Sequence, residues 1–541
     1  MTGGLIQLAA YGKEDLFLTH NPKITFFKMV YRRHTNFSTE IIPQKFDHVP
    51  DFGRRITAIL GRSGDLIRKI YVVFELPRID QFYDNNTLNP ITKFMWVKRI
   101  GYALIKTVEI EIGDELVDKH YGDWLNIWHE LTIPQNKNID KLIGDIKFLT
   151  SPTNGKDSYN LYVPLQFWFN RITGLALPIL SLQYNNVKIN LEINNLDKCF
   201  NLAPTHYIKI DNNIVNFTDF EYIQQNIDGK TIIGQFIYFD IVNNYLYFKK
   251  ISDDSFQSLT VTDSSLIETY YDQYYLLYNT RDDSVLDDPS YDPGSLVNDK
   301  YLITGLDSKF QVMPSINSIE KVYNVSDINL KFISLKNAFL LVEYIYLDDD
   351  ERVKFTNSKL EYLIEQLQYN GEKIINSVNQ SFRVGFTQPC KQLFWVTQLS
   401  TSLNTRNNYL FNYTDNLMLD NNHNFFGSNI ILNQSLLFNS QERVTHRSSH
   451  YFNNIQSYQF FNTSSNNIIN SYSFGLNPLK YQPSGTANFS KIDNILLNVN
   501  VNNNITFNNN ARLRIYAIVY NIFRISYGIS GVLFSSNIFN N

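Results

Sequence analysis

Three stretches far apart in the chain alternate apolar and polar residues, the period-two pattern of a strand with one wet face and one core face. In Thr107-Val108-Glu109-Ile110-Glu111-Ile112 the alternation is strict and the wet positions are acidic. Over 184–193, Val187, Ile189, Leu191 and Ile193 stand against Lys188, Asn190 and Glu192. Near the end, Ile495, Leu497, Val499 and Val501 alternate with Asn494, Asn498, Asn500 and Asn502, interrupted only by Leu496. Further strand candidates fall at 55–60, 66–76, 374–386, 392–399, 429–438, 471–476 and 512–526, with turn residues such as Gly61 to Gly64 and Gly113-Asp114 between them. Many short strands with few helices predict an all-β protein built of sandwiches or jelly rolls. The 39 Phe and 35 Tyr suit pleated, half-buried surfaces.

A joint is expected at 346–368. It follows the strand-like run Ala338 to Ile345 and begins with Asp348, Asp349, Asp350 and Glu351, where a helix N-terminus favours a cap and negative charge. Leu360, Leu363, Ile364 and Leu367 recur at i, i+3, i+4 and i+7, and Gly371 follows, so the spacing predicts a linker helix over 348–371. Strand-rich sequence on both sides makes it the link between two similarly built halves. The predicted layout is an N-terminal arm over 1–24, a first domain over 25–347, the linker, and a second domain over 372–541. At 541 residues the chain can form two or three cored domains.

Within the first domain, 121–131 carries Trp124, Leu125, Trp128 and Leu131 at helical spacing, a packed connector. Ile24 to Val30 reads as apolar and strand-like and runs into Arg32-Arg33-His34, a short basic turn. About 201–335 is acidic and Tyr-rich between strong strand signals, which predicts an elaborated insertion, an ordered surface loop or crown.

Net charge of -4 gives no basic field for nucleic acid or an anionic membrane. Cys199 and Cys390 fit no disulfide framework or zinc pattern, which favours a reducing compartment. The N-terminus lacks a signal-peptide pattern, and no run reaches the ~18 apolar residues of a membrane span. The closest, 515–534, holds Asn521, Arg524, Gly528 and Gly531 and reads as strand and turn.

Candidate chemistry is thin. His446 and His450 at i, i+4 could pair on a metal from one helix, but Arg447, Ser448 and Ser449 offer no third ligand. The acidic cluster from Asp282 to Asp292 lacks the spacing and glycine of a calcium loop. Gly528-Ile529-Ser530-Gly531 lacks the context of a nucleophile elbow, and no phosphate-binding glycine loop occurs. No catalytic, cofactor or metal residues are assigned. Sequons at Asn36, Asn216, Asn324, Asn412 and Asn488 are what an Asn-rich chain produces by chance. If glycans are present, 201–335 and 400–428 are the places expected to bear them.

Several blocks together resemble one family. Gly3-Gly4-Leu5-Ile6-Gln7-Leu8, Asn21-Pro22-Lys23-Ile24-Thr25-Phe26-Phe27-Lys28 and Tyr31-Arg32-Arg33-His34-Thr35-Asn36-Phe37 look like the opening of the major capsid proteins of nucleocytoplasmic large DNA viruses. Pro164-Leu165-Gln166-Phe167-Trp168-Phe169, Gly174-Leu175-Ala176-Leu177-Pro178 and Tyr346 to Arg352 resemble its middle. Gln482-Pro483-Ser484-Gly485-Thr486-Ala487-Asn488-Phe489-Ser490-Lys491-Ile492-Asp493 is similar to its most recognisable block, and Arg514-Ile515-Tyr516-Ala517 follows in order. Residues 201–335 match nothing in it.

The resemblance implies two tandem eight-stranded antiparallel jelly rolls and a homotrimer forming a pseudo-hexagonal capsomer of an icosahedral shell. It implies a virion protein, assembled in the host cytoplasm, that is not an enzyme. Its implied partners are its own copies, neighbouring capsomers and minor capsid proteins on the inner face. An internal membrane is touched at most indirectly, nucleic acid not directly, and glycans sit on surface loops where present. The rivals are a minor or vertex capsid paralogue and, from a different class, a carbohydrate-binding or hydrolytic β-sandwich, which in the hydrolytic case needs two facing carboxylates ~5 to 10 Å apart.

Overall fold

The computed structural model describes residues 3–29, 31–84, 87–134, 137–260, 301–324, 330, 332–404, 407–420, 424–462, 468–507 and 509–534. The first half places eight strands in two sheets. They are β1 Phe37–Lys45, β2 Arg55–Ile59, β3 Leu66–Leu76, β4 Ile105–Ile112, β5 Glu115–Tyr121, β6 Tyr159–Pro164, β7 Val187–Ile193 and β8 Asn337–Leu347. One sheet runs β1-β8-β3 with β6 beyond β3, and the other runs β2-β7-β4-β5. Register follows the alternation: Ile110 pairs Ile189 and Val108 pairs Leu191, so the apolar positions share the buried face.

The second half repeats this wiring. Its strands are β9 Leu360–Ile375, β10 Asn379–Arg383, β11 Pro389–Leu399, β12 Ile431–Phe438, β13 Gln441–Ser448, β14 Asn470–Ser473, β15 Ile495–Val501 and β16 Ala511–Ser526. One sheet runs β9-β16-β11-β14 and the other β10-β15-β12-β13. Adding eight to each label of the first half gives the second, so one topology occurs twice. Short pieces at Leu177–Pro178, Ala487–Asn488 and Ile529–Val532 extend the sheets. The chain is all-β, two jelly-roll sandwiches in tandem, each burying the facing sides of its two sheets.

Three expectations need correction. The linker helix spans only Asp349–Asn357, and Leu360 to Ile375 is the long first strand of the second sandwich. Gly371 lies inside that strand at a positive φ, where the pairing with β16 shifts register between Tyr369 and Glu372, so it forms a bulge and ends no helix. Residues 24–29 form no strand; β1 starts at Phe37. The insertion is more than a loop. Seven strands between His206 and Val322 form a sheet with its own core, in which Ile208, Ile223, Leu246, Phe248 and Ile303 are fully buried. Asp282 to Asp292 lies outside the described residues.

Candidate assembly interface

The helix Gly122–Thr132 follows β5 and presents Trp124, Ile127, Trp128 and Leu131 to the second sandwich. There Trp124 meets Phe394 edge-on at 5.2 Å, within a cluster that includes Leu367, Tyr413 and Ile518. The larger apolar core also crosses the seam, since Ile364, Phe523 and Ile525 join first-half residues. A shared core of this kind fixes the two sandwiches against each other.

Polar groups complete the seam. Asp123, in the first turn of that helix, accepts hydrogen bonds from the Tyr413 and Tyr516 hydroxyls, the latter at 3.1 Å, and pairs with Arg514 at 3.1 Å. Burial pushes both tyrosine hydroxyls well above their ordinary range, with the Asp123 charge adding to it. Glu365 on β9 accepts from Arg171 at 3.0 Å and from Lys391, and the Arg171 guanidinium lies over the Trp128 ring at 5.0 Å. Asp118 on β5 accepts from the Leu367 backbone N–H at 3.0 Å. These carboxylates are engaged in holding the protomer together.

The outer faces differ. The helix Gly3–Ala9 buries none of its residues, and Phe26, Phe27 and Met29 are 90 to 100% exposed, so among the described residues the arm contributes no core to its own chain. Strand β1 is a sheet edge with Phe37 and Ile41 exposed, and β13 is another edge, exposed except at Val444. An exposed edge with apolar side chains, as on β1, is a pairing surface, whereas β13 exposes only polar and charged ones.

The residues singled out from sequence sit as follows. His446 lies on β13, whereas His450 lies beyond it and its Nδ1 meets Asn454 at 3.1 Å, so the two share no helix face. Among the described residues no group of three or more His, Cys, Asp or Glu could hold a metal ion, and no helix is long and apolar enough to cross a membrane. Asp348 caps the linker helix by accepting from the Glu351 N–H at 3.0 Å, as its position predicts. Tyr527 and Gly528 form the turn, and Ile529, Ser530 and Gly531 lie on the short strand Ile529–Val532. Cys199 and Cys390 are buried free thiols. Arg32, Arg33 and His34 are exposed on the arm. Asn412 is fully buried, while Asn36, Asn216 and Asn488 are exposed; the Asn324 sequon runs into residues outside the described ones. Sequence reasoning missed the Asp123–Arg514 pair: Arg514 stood in a family-like block with no role assigned to it, and no local pattern singles out Asp123.

Comparison with known proteins adds to this geometry. Residues 25–240 match a family model described as major capsid protein N-terminus, and 351–531 match one described as large eukaryotic DNA virus major capsid protein. "Probable capsid protein 4" of Acanthamoeba polyphaga mimivirus is 40% identical over 543 residues, covering 99% of this chain and 100% of that protein. The major capsid protein of Phaeocystis pouchetii virus is 29% identical over 638 residues, with 99% and 100% covered. In structure, the Faustovirus major capsid protein matches at a TM-score of 0.62 and 11% identity, over 97% of this chain and 96% of that one. The chain in the quasi-atomic PBCV-1 virus capsid matches at 0.57 and 23% identity, over 95% and 100%. Both likenesses are of fold.

Proposed function

The chain belongs to the major capsid protein family of large eukaryotic DNA viruses, and from that membership we propose that three copies close into a pseudo-hexagonal capsomer that tiles an icosahedral shell. The duplicated topology carries the reading. One protomer holds two sandwiches with the same strand order, so three protomers present six similar lobes. A cyclic trimer closes through heterologous contacts, so different faces of each protomer must complement one another. The fixed seam makes each protomer a preformed tile, and the exposed edges β1 and β13 supply contact surface.

We assign the arm over 1–24, extended by the exposed chain to β1, to contacts on the inner face with minor capsid proteins or a neighbouring protomer. The first sandwich takes 37–347 with the insertion facing outward, and the second starts at Leu360. Any glycans belong on exposed sequons such as Asn216, and membrane contact is indirect. Assembly takes place in the host cytoplasm. No catalytic role is assigned: Asp123 and Glu365, two of the seam carboxylates, are paired with cations.

The test is the solution mass of the purified chain by light scattering, followed by imaging of assemblies. A mass near three times 63.2 kDa is expected. A monomer at all concentrations, with no assembly when minor capsid proteins are added, overturns the trimer.

A further inference from the structure

A cleft of about 440 Å³ opens on the seam between the two sandwiches. That volume is in the range of small-molecule sites. Its described lining carries four cations, Lys69, Lys137, Arg171 and Lys391, against a single carboxylate, Glu365. Lys69 lies on β3, Arg171 ends the short helix Trp168–Arg171, and Lys391 lies on β11, so the positive charge comes from both sandwiches.

Two of these cations converge on the carboxylate. Arg171 meets one Glu365 oxygen at 3.0 Å, and Lys391 donates to the other. Their side chains are 16% and 4% exposed, so two positive charges and one negative charge are largely withdrawn from water. At the Asp123–Arg514 pair the charges balance one to one, but here one positive charge is left over. An unmatched charge at a half-dry site is costly. Among the described residues neither side chain has another hydrogen-bond or ion-pair partner. Burial holds the Lys391 amine below its ordinary range; Glu365 opposes that and Arg171 adds to it. The Arg171 guanidinium lies over the Trp128 ring at 5.0 Å, which fixes its plane. Lys69 and Lys137 are exposed at the cleft and make no ion pair among the described residues, so they add to the excess.

We infer that this cleft binds a compact, multiply charged anion of the diphosphate class, seated against Arg171 and Lys391 with Lys69 and Lys137 facing its outer oxygens. A phosphoryl group puts about 1.5 to 2 negative charges into one small unit at neutral pH, and a guanidinium presents its N–H groups to such oxygens in a planar fork. A monocarboxylate leaves most of the excess charge uncancelled. The bound anion touches both sandwiches, so it favours the folded chain over the unfolded one and raises the unfolding midpoint.

The experiment is calorimetric titration of the full chain with sodium diphosphate in metal-free buffer, with ADP and acetate as comparison ligands and thermal unfolding measured beside each. One saturable diphosphate site per chain is expected, with acetate at least tenfold weaker and the unfolding midpoint raised by diphosphate. Lys391→Met should weaken diphosphate binding at least tenfold. Lys69→Ala, a change at an exposed position, should weaken it several-fold and decides the matter if Lys391→Met does not fold. ADP binding tighter than diphosphate assigns the phosphoryl groups to a nucleotide, and the reverse order assigns them to the free anion. Absence of saturable diphosphate binding, acetate binding as tight as diphosphate, or unchanged diphosphate affinity in Lys69→Ala overturns the proposal. None of these outcomes depends on whether the chain trimerises.

Discussion

Arg514 on β16 stands 3.1 Å from the Asp123 carboxylate on the helix of the other sandwich, and each side chain is only 11 to 12% exposed. A buried pair of this kind is costly to break from one side, because the remaining charge keeps its desolvation and loses its partner. Arg514→Met is therefore expected to destabilise the chain by about 3 to 5 kcal/mol in denaturant unfolding. Adding Asp123→Asn should recover part of that loss, with a coupling of about 1 kcal/mol or more in the double-mutant cycle. Strict additivity of the two single changes would show that the pair does not act as a unit.

The same helix begins where the backbone crosses closely. A Cβ built on Gly122 would lie 2.2 Å from the Tyr102 carbonyl oxygen and 2.3 Å from that of Ile105. Both obstacles are main chain and cannot rotate away. Gly122→Ala is expected to cost at least the ~1 to 3 kcal/mol of a core overpacking, read as a lowered unfolding midpoint. Gly174, which has nothing within 4 Å of a built Cβ, is the internal comparison, and Gly174→Ala should stay within about 0.5 kcal/mol.

The contrast between these positions and the strands explains what could be read from sequence. Leu66–Leu76 and Ile495–Val501 carry their environment in their own residues, the first as a strand buried for most of its length and the second as an alternation. Ile105–Ile112 alternates in sequence but buries Thr107 and Glu109 as well. Leu360 to Gln368 does not show its environment, because the strand lies at the seam and is packed from both sides. Ile364 joins the core of the first sandwich and Leu367 the aromatic seam cluster, so apolar residues fall on both faces and mimic a helical stripe. The insertion's core is assembled from single residues such as Ile208, Ile223 and Ile303 on short strands, too sparse for a period to show. Asp123, Tyr413 and Arg514 meet only through the tertiary fold, and no local spacing encodes that contact.

A pH dependence follows from His129, whose Nδ1 is 3.1 Å from the Tyr102 hydroxyl. Burial, reinforced by the Arg99 guanidinium and opposed by Glu130, holds its imidazole down to about 3. Its unfolded value is near 6.5. Between those values the unfolded chain binds a proton that the native chain refuses, so stability is full above the unfolded value and falls as pH drops through the window. The slope from this group is at most about 1.4 kcal/mol per pH unit. Measured between pH 6.5 and 5, His129→Gln should show a shallower loss of stability than the original chain. Parallel curves would mean that His129 is protonated alike in both states.

The arm separates folding from assembly. Its apolar side chains at Leu8, Leu18, Phe26, Phe27 and Met29 are exposed, so they add nothing to the stability of the chain that carries them. So much exposed apolar surface on a short segment becomes useful only when another surface covers it. Removing residues 1–36 should leave the unfolding midpoint of the isolated protein unchanged within about 0.5 kcal/mol, because no core contact is lost. Shell formation with the minor capsid proteins present should fail, since the surface joining the tile to its inner-face partners is gone. A truncated chain that still builds complete shells would exclude the arm as an assembly contact and shift that role to edges such as β1 and β13. A truncated chain that unfolds early would instead place the arm in the folded body.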